Sequence, residues 1–303
     1  MFPSRAQWRN NCRSPASVLH KGEIILELNG HDAMRLVSLL TLGGLLLVRI
    51  DAWAAQVSEV KVAQAVVFLR VPSDKKPGEI EIGSGFLVNF NNKLFLTTAA
   101  HVAGLMSAKS SITLGIENDA AMTIALSDLT GGDPKWVLHP VADVGVLLLH
   151  PAAKIESILT GRALPSSIFI TKLEAPARDR PLTIVGFPLG LGVLYTGPGA
   201  KISSIQKESK AASGLLTLPR SDTKKPTEFF VLDSPSVGGF SGAPVFVLPA
   251  AFSKGSGIAF SSTTLFVGLV HGTLSDSTGG KFAVVVPSAF VTQTIDRAYE
   301  AEP

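Results

Sequence analysis

The chain has 303 residues, of which 46% are hydrophobic and 17% charged, and its formal net charge at pH 7 is +3. This composition is typical of a globular protein and argues against intrinsic disorder. Six of the 27 basic residues and four of the 24 acidic ones lie in the first 54 residues, so the rest of the chain is close to neutral. Because it also shows no basic cluster interleaved with aromatic residues, we expect no nucleic-acid partner.

The first 54 residues predict an export leader rather than part of the fold. Met34 and Arg35 precede an apolar run of thirteen residues at 36–48, and the sequence AWA at 52–54 supplies a cleavage site between small residues. A membrane-spanning helix needs about twenty apolar residues, so a signal peptide is favoured over an uncleaved anchor or a buried core helix. We predict translation from Met34, cleavage after Ala54 and export to the periplasm or the medium. Membrane contact is expected only through an uncleaved leader.

The only cysteine, Cys12, lies before this predicted start. The mature chain, residues 55–303, would then contain no disulfide and would be stabilised by its hydrophobic core alone.

This body is predicted to consist mainly of short strands. Apolar and β-branched runs recur at residues 65–71, 84–90, 93–99, 111–116, 122–127, 144–149, 181–187, 228–232, 243–248, 264–270 and 282–286. Many short strands separated by turn residues predict an all-β sandwich or barrels rather than a parallel α/β sheet. A loop-like stretch at about 151–180 is the expected connection between two halves. One helix is expected at the end, with Ser288 as its cap and Phe290, Val291, Ile295 and Ala298 on one face.

Near the end of the chain, VGGFSGAPVF at residues 237–246 places Ser241 between glycines. Gly, Ser and Pro are ordinary turn residues, so this serine alone has a structural interpretation. Two possible companions change that interpretation: His101 directly follows an apolar strand, and Asp143 directly precedes a buried one. Each of these also has a structural alternative, as a strand-end histidine or a turn aspartate. Together they form a candidate triad, because a serine nucleophile needs a base and the base needs an orienting carboxylate.

The segments TTAAHV, ADVGVLLL and GGFSGAP resemble the three signature segments of the chymotrypsin-like (trypsin-fold) serine proteases, with the catalytic residues in that family's order. Within the family, the sequence is most similar to bacterial high-temperature-requirement, or Deg-type, protease domains. That similarity rests on GSGFLV, VGFPLGLG, KISSI and FAVVVPSAF, at residues 83–88, 185–192, 201–205 and 282–290.

The resemblance covers roughly residues 60–300 and implies two six-stranded antiparallel β-barrels with the active site between them. The first barrel would span about 60–155 and the second about 165–287, followed by a terminal helix at 288–300. Sixteen residues follow Pro287, too few for the peptide-binding PDZ domain that Deg-type proteases commonly append.

The resemblance also implies the role of each site residue. His101 would be the general base, Asp143 would orient it, and the backbone N–H groups of Gly239 and Ser241 would form the oxyanion hole. This sequence departs from the usual GNSGGP at two positions, Phe240 and Ala243. Activity is expected to survive, because the side chain at 240 should point away from the catalytic oxygen and Ala243 adds only a methyl group.

The substrate pocket is predicted from Pro235, His271, Gly272 and Thr273. Pro235 lies six positions before Ser241, where an acidic residue would select Arg or Lys. Proline cannot do so, and Thr273 replaces a residue that is often glycine in open pockets. The sequence therefore predicts a shallow, apolar-preferring pocket. As an alternative, His271 binds an acidic or amide side chain of the substrate.

No metal or organic cofactor is expected. None of the body histidines lies three or four residues from another, and the glycine-rich GLGVLYTGPG lacks the Lys-Ser/Thr of a phosphate loop. His139 and His150 are interpreted as loop or strand-end residues. The sequence thus predicts an exported serine endopeptidase that cleaves polypeptides through an acyl-enzyme. The rival interpretations are a catalytically silent trypsin-fold binding protein and, more weakly, an esterase.

Overall fold

The computed structural model describes residues 58–73, 79–178, 180–193, 199–254, 257–261 and 263–302. The predicted leader, its cleavage site and Cys12 lie outside these ranges, as does part of the glycine-rich segment. Within them, no helix is both long and apolar enough to span a membrane.

The first sheet contains eight strands. They are β1 (Val66–Pro72), β2 (Ile80–Phe90), β3 (Lys93–Thr98), β4 (Ser111–Gly115), β5 (Ala121–Ala125), β6 (Val137–Leu138), β7 (Gly145–Leu148) and β8 (Leu164–Pro165). Their hydrogen-bonded order is β5-β4-β1-β2-β3-β7-β6, and every neighbouring pair is antiparallel. The short β8 pairs in parallel with β2.

The described part of the second half of the chain contains nine more strands. They are β9 (Pro181–Gly186), β10 (Ile205–Lys210), β11 (Leu216–Pro219), β12 (Pro226–Leu232), β13 (Pro244–Val247), β14 (Ala250–Lys254), β15 (Gly257–Ser261), β16 (Leu265–Ser275) and β17 (Lys281–Pro287). Seven of them form an antiparallel sheet in the order β10-β9-β13-β16-β17-β12-β11, and β14 pairs with β15 in a separate hairpin.

Local sequence explains the tightest connection in the first sheet. Asn91 and Asn92 join β2 to β3, and both have positive φ angles, 49° and 62°. Asparagine tolerates this left-handed conformation better than most residues, and two such residues in succession form the turn that matches the twist of a β-hairpin.

Among the described residues, five helices accompany the sheets: α1 (Glu59–Ala65), α2 (Ala100–Ala103), α3 (Leu126–Thr130), α4 (Ala153–Arg162) and α5 (Ser288–Glu300). Short 3₁₀ turns occur at Glu117–Asp119, Ser166–Ile168 and Pro188–Gly190. Two expectations are corrected here. The stretch predicted to be loop-like contains α4, and Ser288 is the first residue of α5 rather than its cap, since Pro287 occupies that position. The predicted face of α5 is buried.

Aromatic side chains connect the two sheets through one continuous core. Phe86 of β2 packs against Phe266 of β16 with ring centroids 5.1 Å apart, and Phe68 of β1 packs edge-on against Phe187, 5.7 Å away. All four rings belong to the same cluster of buried residues. Two antiparallel sheets with a C-terminal helix confirm the predicted all-β fold class.

Candidate active site

Strand pairing brings His101 and Asp143 together. In the register of β3 with β7, Thr98 lies opposite Gly145. His101 follows Thr98 by three residues, in the short helix α2, and Asp143 precedes Gly145 by two. The two residues therefore follow and precede adjacent strand ends, at the same end of the first sheet.

The contact between these residues has the geometry of an oriented catalytic histidine. His101 Nδ1 lies 2.7 Å from Asp143 Oδ2, and the backbone N–H of His101 donates to Asp143 Oδ1 at 2.9 Å. The carboxylate is fully buried, whereas 28% of the His101 side chain is exposed. A buried carboxylate paired with a partly exposed imidazole can fix the ring while leaving its outer edge accessible.

Their pKa values respond to this contact. Burial would raise the pKa of Asp143, but hydrogen bonds from two histidines outweigh it and hold that pKa well below its usual range. For His101, burial opposes the charged form, yet the hydrogen bond and the negative charge of Asp143 raise its pKa above the ordinary 6.5. Asp143 is thus ionised at neutral pH, as an orienting carboxylate must be.

The Ser241 loop comes from the second sheet and is attached to the first by Ser84. The backbone N–H of Ser84 donates to the Ser241 carbonyl at 2.9 Å, and the Ser84 hydroxyl donates to the Gly239 carbonyl at 2.7 Å. The same hydroxyl accepts from the backbone N–H of Phe187 at 2.9 Å. Ser84 is fully buried, so it joins the nucleophile loop to the sheet that carries the other two triad candidates.

Within this loop the backbone needs glycine at two positions. Gly239 and Gly242 have φ angles of 93° and 83°, in the region that favours glycine. A Cβ at 239 would overlap the carbonyl oxygen of Phe187. In the part of the chain that the structure describes, the N–H groups of Gly239 and Ser241 have no hydrogen-bond partner, so both predicted oxyanion donors are available.

Phe240, the first departure from the family segment, is 2% exposed and belongs to the core of the second sheet. It packs near Gly186, where an added Cβ would lie 2.8 Å from the Phe240 ring. Its side chain therefore anchors the loop through the core.

The hydroxyl of Ser241 does not bond His101 in this structure. Its Oγ donates instead to the carbonyl oxygen of His271, at 3.3 Å. The hydroxyl reaches other positions by rotation about one single bond, which has three staggered minima. Catalytic hydrogen bonds are often long or misaligned without substrate. In this structure Ser241 is linked through His271 to the Asp143 that bonds His101, and the Ser241 hydroxyl is not directed at His101.

His271 has a different environment from the one predicted. Only 5% exposed, it directs Nδ1 to Asp143 Oδ2 at 2.5 Å, and its Nε2 lies 2.9 Å from the hydroxyl of Ser221. Both ring nitrogens therefore have protein partners. The alternative in which the ring binds a substrate side chain stays a prediction, and in this structure the ring would have to give up one of these partners to do so.

Two of the other predicted pocket residues, Thr273 and Pro235, have hydrogen-bond partners in the structure. Thr273 donates its hydroxyl to the carbonyl of Ser236 at 3.0 Å, which places it beside the segment that contains Pro235. Pro235 is exposed and its carbonyl accepts from the ammonium of Lys207. A Cβ at Gly272 would meet no atom within 4 Å. Sequence reasoning missed Lys207, which lies next to Pro235.

Two further polar residues near Asp143 make contacts that were also missed. Arg220, 6% exposed, donates to the carbonyls of Val141 and Ala142 at 3.1 and 2.9 Å and contacts Asp143 Oδ1 at 3.3 Å. His139 directly follows β6, in agreement with its interpretation as a loop or strand-end residue. Its hydrogen bonds were not predicted: Nδ1 accepts from the N–H of Ala142 at 2.8 Å and Nε2 contacts Gln293. Burial lowers the pKa of His139, which favours the neutral ring that can accept this bond.

His101, Asp143 and His271 are also a group whose ligand-type atoms lie within 4.8 Å of one another. The spacing of the histidines along the sequence did not predict this group, because 170 residues separate them. Each imidazole already uses Nδ1 on the shared carboxylate oxygen. A cation there would have to displace both bonds, so the arrangement fits a hydrogen-bonded network better than a metal centre.

Comparison with known proteins gives distant likenesses of overall fold. No protein-family model matches the sequence and no curated protein matches it. Among solved structures, the chain is similar to the inactive mutant form of Rv3671c from M. tuberculosis H37Rv, at 15% identity and a TM-score of 0.44, over 82% of this chain and 92% of that one. It is similar to the serine endoprotease from Yersinia pestis, at 15% identity and a TM-score of 0.46, over 80% and 65% of the two chains. It is also similar to the thermostable serine protease AL20, at 10% identity and a TM-score of 0.45, over 80% of this chain and 100% of that one.

Proposed function

We propose that this protein is a serine endopeptidase that cleaves peptide bonds through an acyl-enzyme on Ser241. One observation carries the proposal: His101 is bonded to the buried Asp143, and the Ser241 loop, with two unpartnered backbone N–H groups, is attached to the same sheet. A nucleophile, a base, an orienting carboxylate and oxyanion donors are the parts that acyl transfer requires.

The chemistry follows from these positions. With Nδ1–H directed to Asp143, the other nitrogen of His101 is free to accept a proton. Ser241 rotates away from the His271 carbonyl, transfers its proton to His101 Nε2, and its Oγ bonds to the substrate carbonyl carbon. The oxyanion is stabilised by the N–H groups of Gly239 and Ser241. His101 then returns the proton to the leaving amine as the C–N bond breaks, and water hydrolyses the resulting ester by the same steps.

A polypeptide substrate is supported by an unpaired strand edge. Between Gly272 and Ser275, β16 pairs with β17 on one side, and none of the described strands pairs with the other side. An extended peptide can add to such an edge through its backbone, which would run it past Ser241. A small ester would make no use of this edge, so a peptidase is favoured over an esterase.

The second candidate is a catalytically silent binding protein. The bond from Ser241 Oγ to the His271 carbonyl favours it, since that bond holds the hydroxyl away from its base. The two candidates predict different reactivity of the same hydroxyl.

Labelling with a fluorophosphonate probe separates them. We expect the purified wild-type protein to be labelled, Ser241→Ala to remain unlabelled and His101→Ala to label far more slowly. Ser167→Ala, a change at an exposed serine outside the site, serves as the matched control and should label like the wild type. Equal labelling of wild type and Ser241→Ala, or labelling of neither, would remove the case for an active nucleophile.

We also propose export, with cleavage after Ala54. The apolar run at 36–48 and the AWA sequence support it. Sequencing the N-terminus of the protein recovered from the cell envelope or medium tests it, and a deletion of residues 36–48 should retain the protein in the cytoplasm. Protein exported despite that deletion would contradict the proposal.

A further inference from the structure

The carboxylate of Asp143 is shared by two histidines. Its Oδ2 lies 2.7 Å from Nδ1 of His101 and 2.5 Å from Nδ1 of His271, and the two rings are nearly perpendicular, at 87°. The other oxygen, Oδ1, accepts from the His101 backbone and from Arg220. Four donors thus surround a group with about four acceptor positions. The carboxylate cannot turn without breaking at least one bond.

Of the two donors that do not come from His101, Arg220 lies on the hairpin that connects β11 and β12, and His271 lies on β16. Arg220 is oriented by Asp222, which receives Nε at 2.9 Å and Nη2 at 2.6 Å. A two-point contact of this kind fixes the plane of the guanidinium group. The remaining donors of Arg220 then meet the carbonyls of the turn that precedes Asp143.

The next residue of the hairpin, Ser221, determines the tautomer of His271. Its backbone N–H lies 3.3 Å and its hydroxyl 2.9 Å from His271 Nε2. A backbone N–H can only donate, so Nε2 accepts and the ring carries its proton on Nδ1. That proton faces Asp143, which makes the second histidine a donor to the same oxygen that His101 uses.

We infer that His271, with Arg220 and Ser221 of the β11–β12 hairpin, is a positioning residue that holds Asp143 in the orientation His101 requires. This inference rests on the proposed function. Removal of the His271 donor would leave three of the four bonds that fix the orientation of Asp143, and would remove a bond that competes for Oδ2. The ring of His101 would then be less well placed but more strongly paired with the carboxylate.

The effect on pH dependence has a defined direction. The charged and titratable groups around His101 are Asp143, Asp222, Arg220 and His271. Without the hydrogen bond from His271, Asp143 Oδ2 interacts with the His101 ring alone. The protonated form of His101 is then more strongly stabilised by the negative charge of Asp143. The acid limb of the kcat/KM profile should therefore move to higher pH.

The kinetic test compares His271→Leu with His271→Asn. Leucine removes both ring nitrogens, whereas the amide nitrogen of asparagine lies close to where Nδ1 was and preserves a donor to Asp143. For His271→Leu we expect kcat lower by about 10²-fold, as for a misplaced catalytic group, with KM little changed and the acid limb shifted upward. His271→Asn should restore the limb to its wild-type position. Wild-type kcat and an unshifted limb in a folded His271→Leu protein would overturn the inference.

A second measurement does not depend on activity or on a core substitution. Imidazole ¹H–¹⁵N NMR of the full-chain Ser241→Ala protein should show two downfield Nδ1–H protons that disappear together in Ser241→Ala/Asp143→Asn. Ser221→Ala should shift only the His271 resonances. A single Nδ1–H signal, or an Nε2–H tautomer of His271, would contradict the shared carboxylate even if the enzyme proved active. Failure of labelling at Ser241 with both signals present would instead refute only the proposed function.

Discussion

Replacement of Ser84 by alanine would test how the nucleophile loop is held. The hydroxyl is fully buried and serves two backbone groups, the Gly239 carbonyl at 2.7 Å and the Phe187 N–H at 2.9 Å. Each buried group left without a partner costs about 1–3 kcal/mol. With partial relaxation of the loop, we expect Ser84→Ala to lower the free energy of unfolding by about 2–4 kcal/mol.

The same substitution should affect catalysis separately from stability. Without the bond to the Gly239 carbonyl, the peptide unit between Gly239 and Phe240 can tilt. The preceding peptide unit shares the Cα of Gly239, so its N–H can then shift away from the oxyanion. Loss of one such donor typically lowers the rate by about 10²- to 10³-fold. The assay is kcat/KM on a peptide substrate under conditions where urea titration shows the variant to be folded.

Ser110→Ala is the matched control. Ser110 is another fully buried serine, and its hydroxyl accepts one bond, from the Ser107 N–H, away from the nucleophile loop. It should lose stability but keep its kcat/KM. Wild-type kcat/KM in a folded Ser84→Ala protein would refute the idea that this hydroxyl positions the loop.

Three further predictions follow from the groups around Asp143. Because only neutral His101 accepts the serine proton and its pKa is raised, the acid limb of kcat/KM should have its midpoint above 6.5, and a midpoint below 6.5 would contradict that pairing. Arg220→Met should lower the free energy of unfolding by about 3 kcal/mol, as expected when a buried ion pair loses one partner. Arg220→Lys should recover only part of that stability, because an ammonium group cannot reproduce the planar contacts of the guanidinium group. Equal urea midpoints for wild type and Arg220→Met would disprove this role. His139→Phe should destabilise the protein by about 1–3 kcal/mol at neutral pH. The pKa of His139 is lowered in the folded protein, so its contribution to stability is complete above pH 6.5 and is lost as the pH falls through that lowered pKa. A stability difference between wild type and His139→Phe that stays constant on acidification would exclude this pH dependence.

Most buried strands were predictable from sequence, while the exposed ones were not. The apolar run at 282–286 lies within β17 (Lys281–Pro287), because a strand buried by its neighbours must be apolar nearly throughout. By contrast, β10 and β11 form the two ends of the second sheet and their residues are mostly exposed. Edge strands can be polar, so composition gave no signal for them.

The helix α4 was missed for a related physical reason. It buries only Leu159 among its ten residues, so its apolar residues do not repeat with the helical period on which such predictions depend. The C-terminal helix α5 was predictable because it buries a full face.

At the candidate site, the residues predicted from sequence were those whose side chains would take part in the reaction directly. His101 and Asp143 were paired in advance, and strand register brings them into contact. The roles of Arg220 and Ser84 could not be predicted, because each depends on a hydrogen bond between the two sheets. His271 was assigned to the pocket for its position in the chain, whereas its burial and the direction of its ring are tertiary properties.

The most direct test of the account is to locate the covalent intermediate. The wild-type protein is mixed with an activated ester of an N-acylated amino acid, quenched in acid during turnover and digested for peptide mapping by mass spectrometry. We expect one acyl adduct, on the hydroxyl of Ser241, and none on the Ser241→Ala protein. An adduct on any other residue, or peptide hydrolysis that persists in Ser241→Ala, would contradict it.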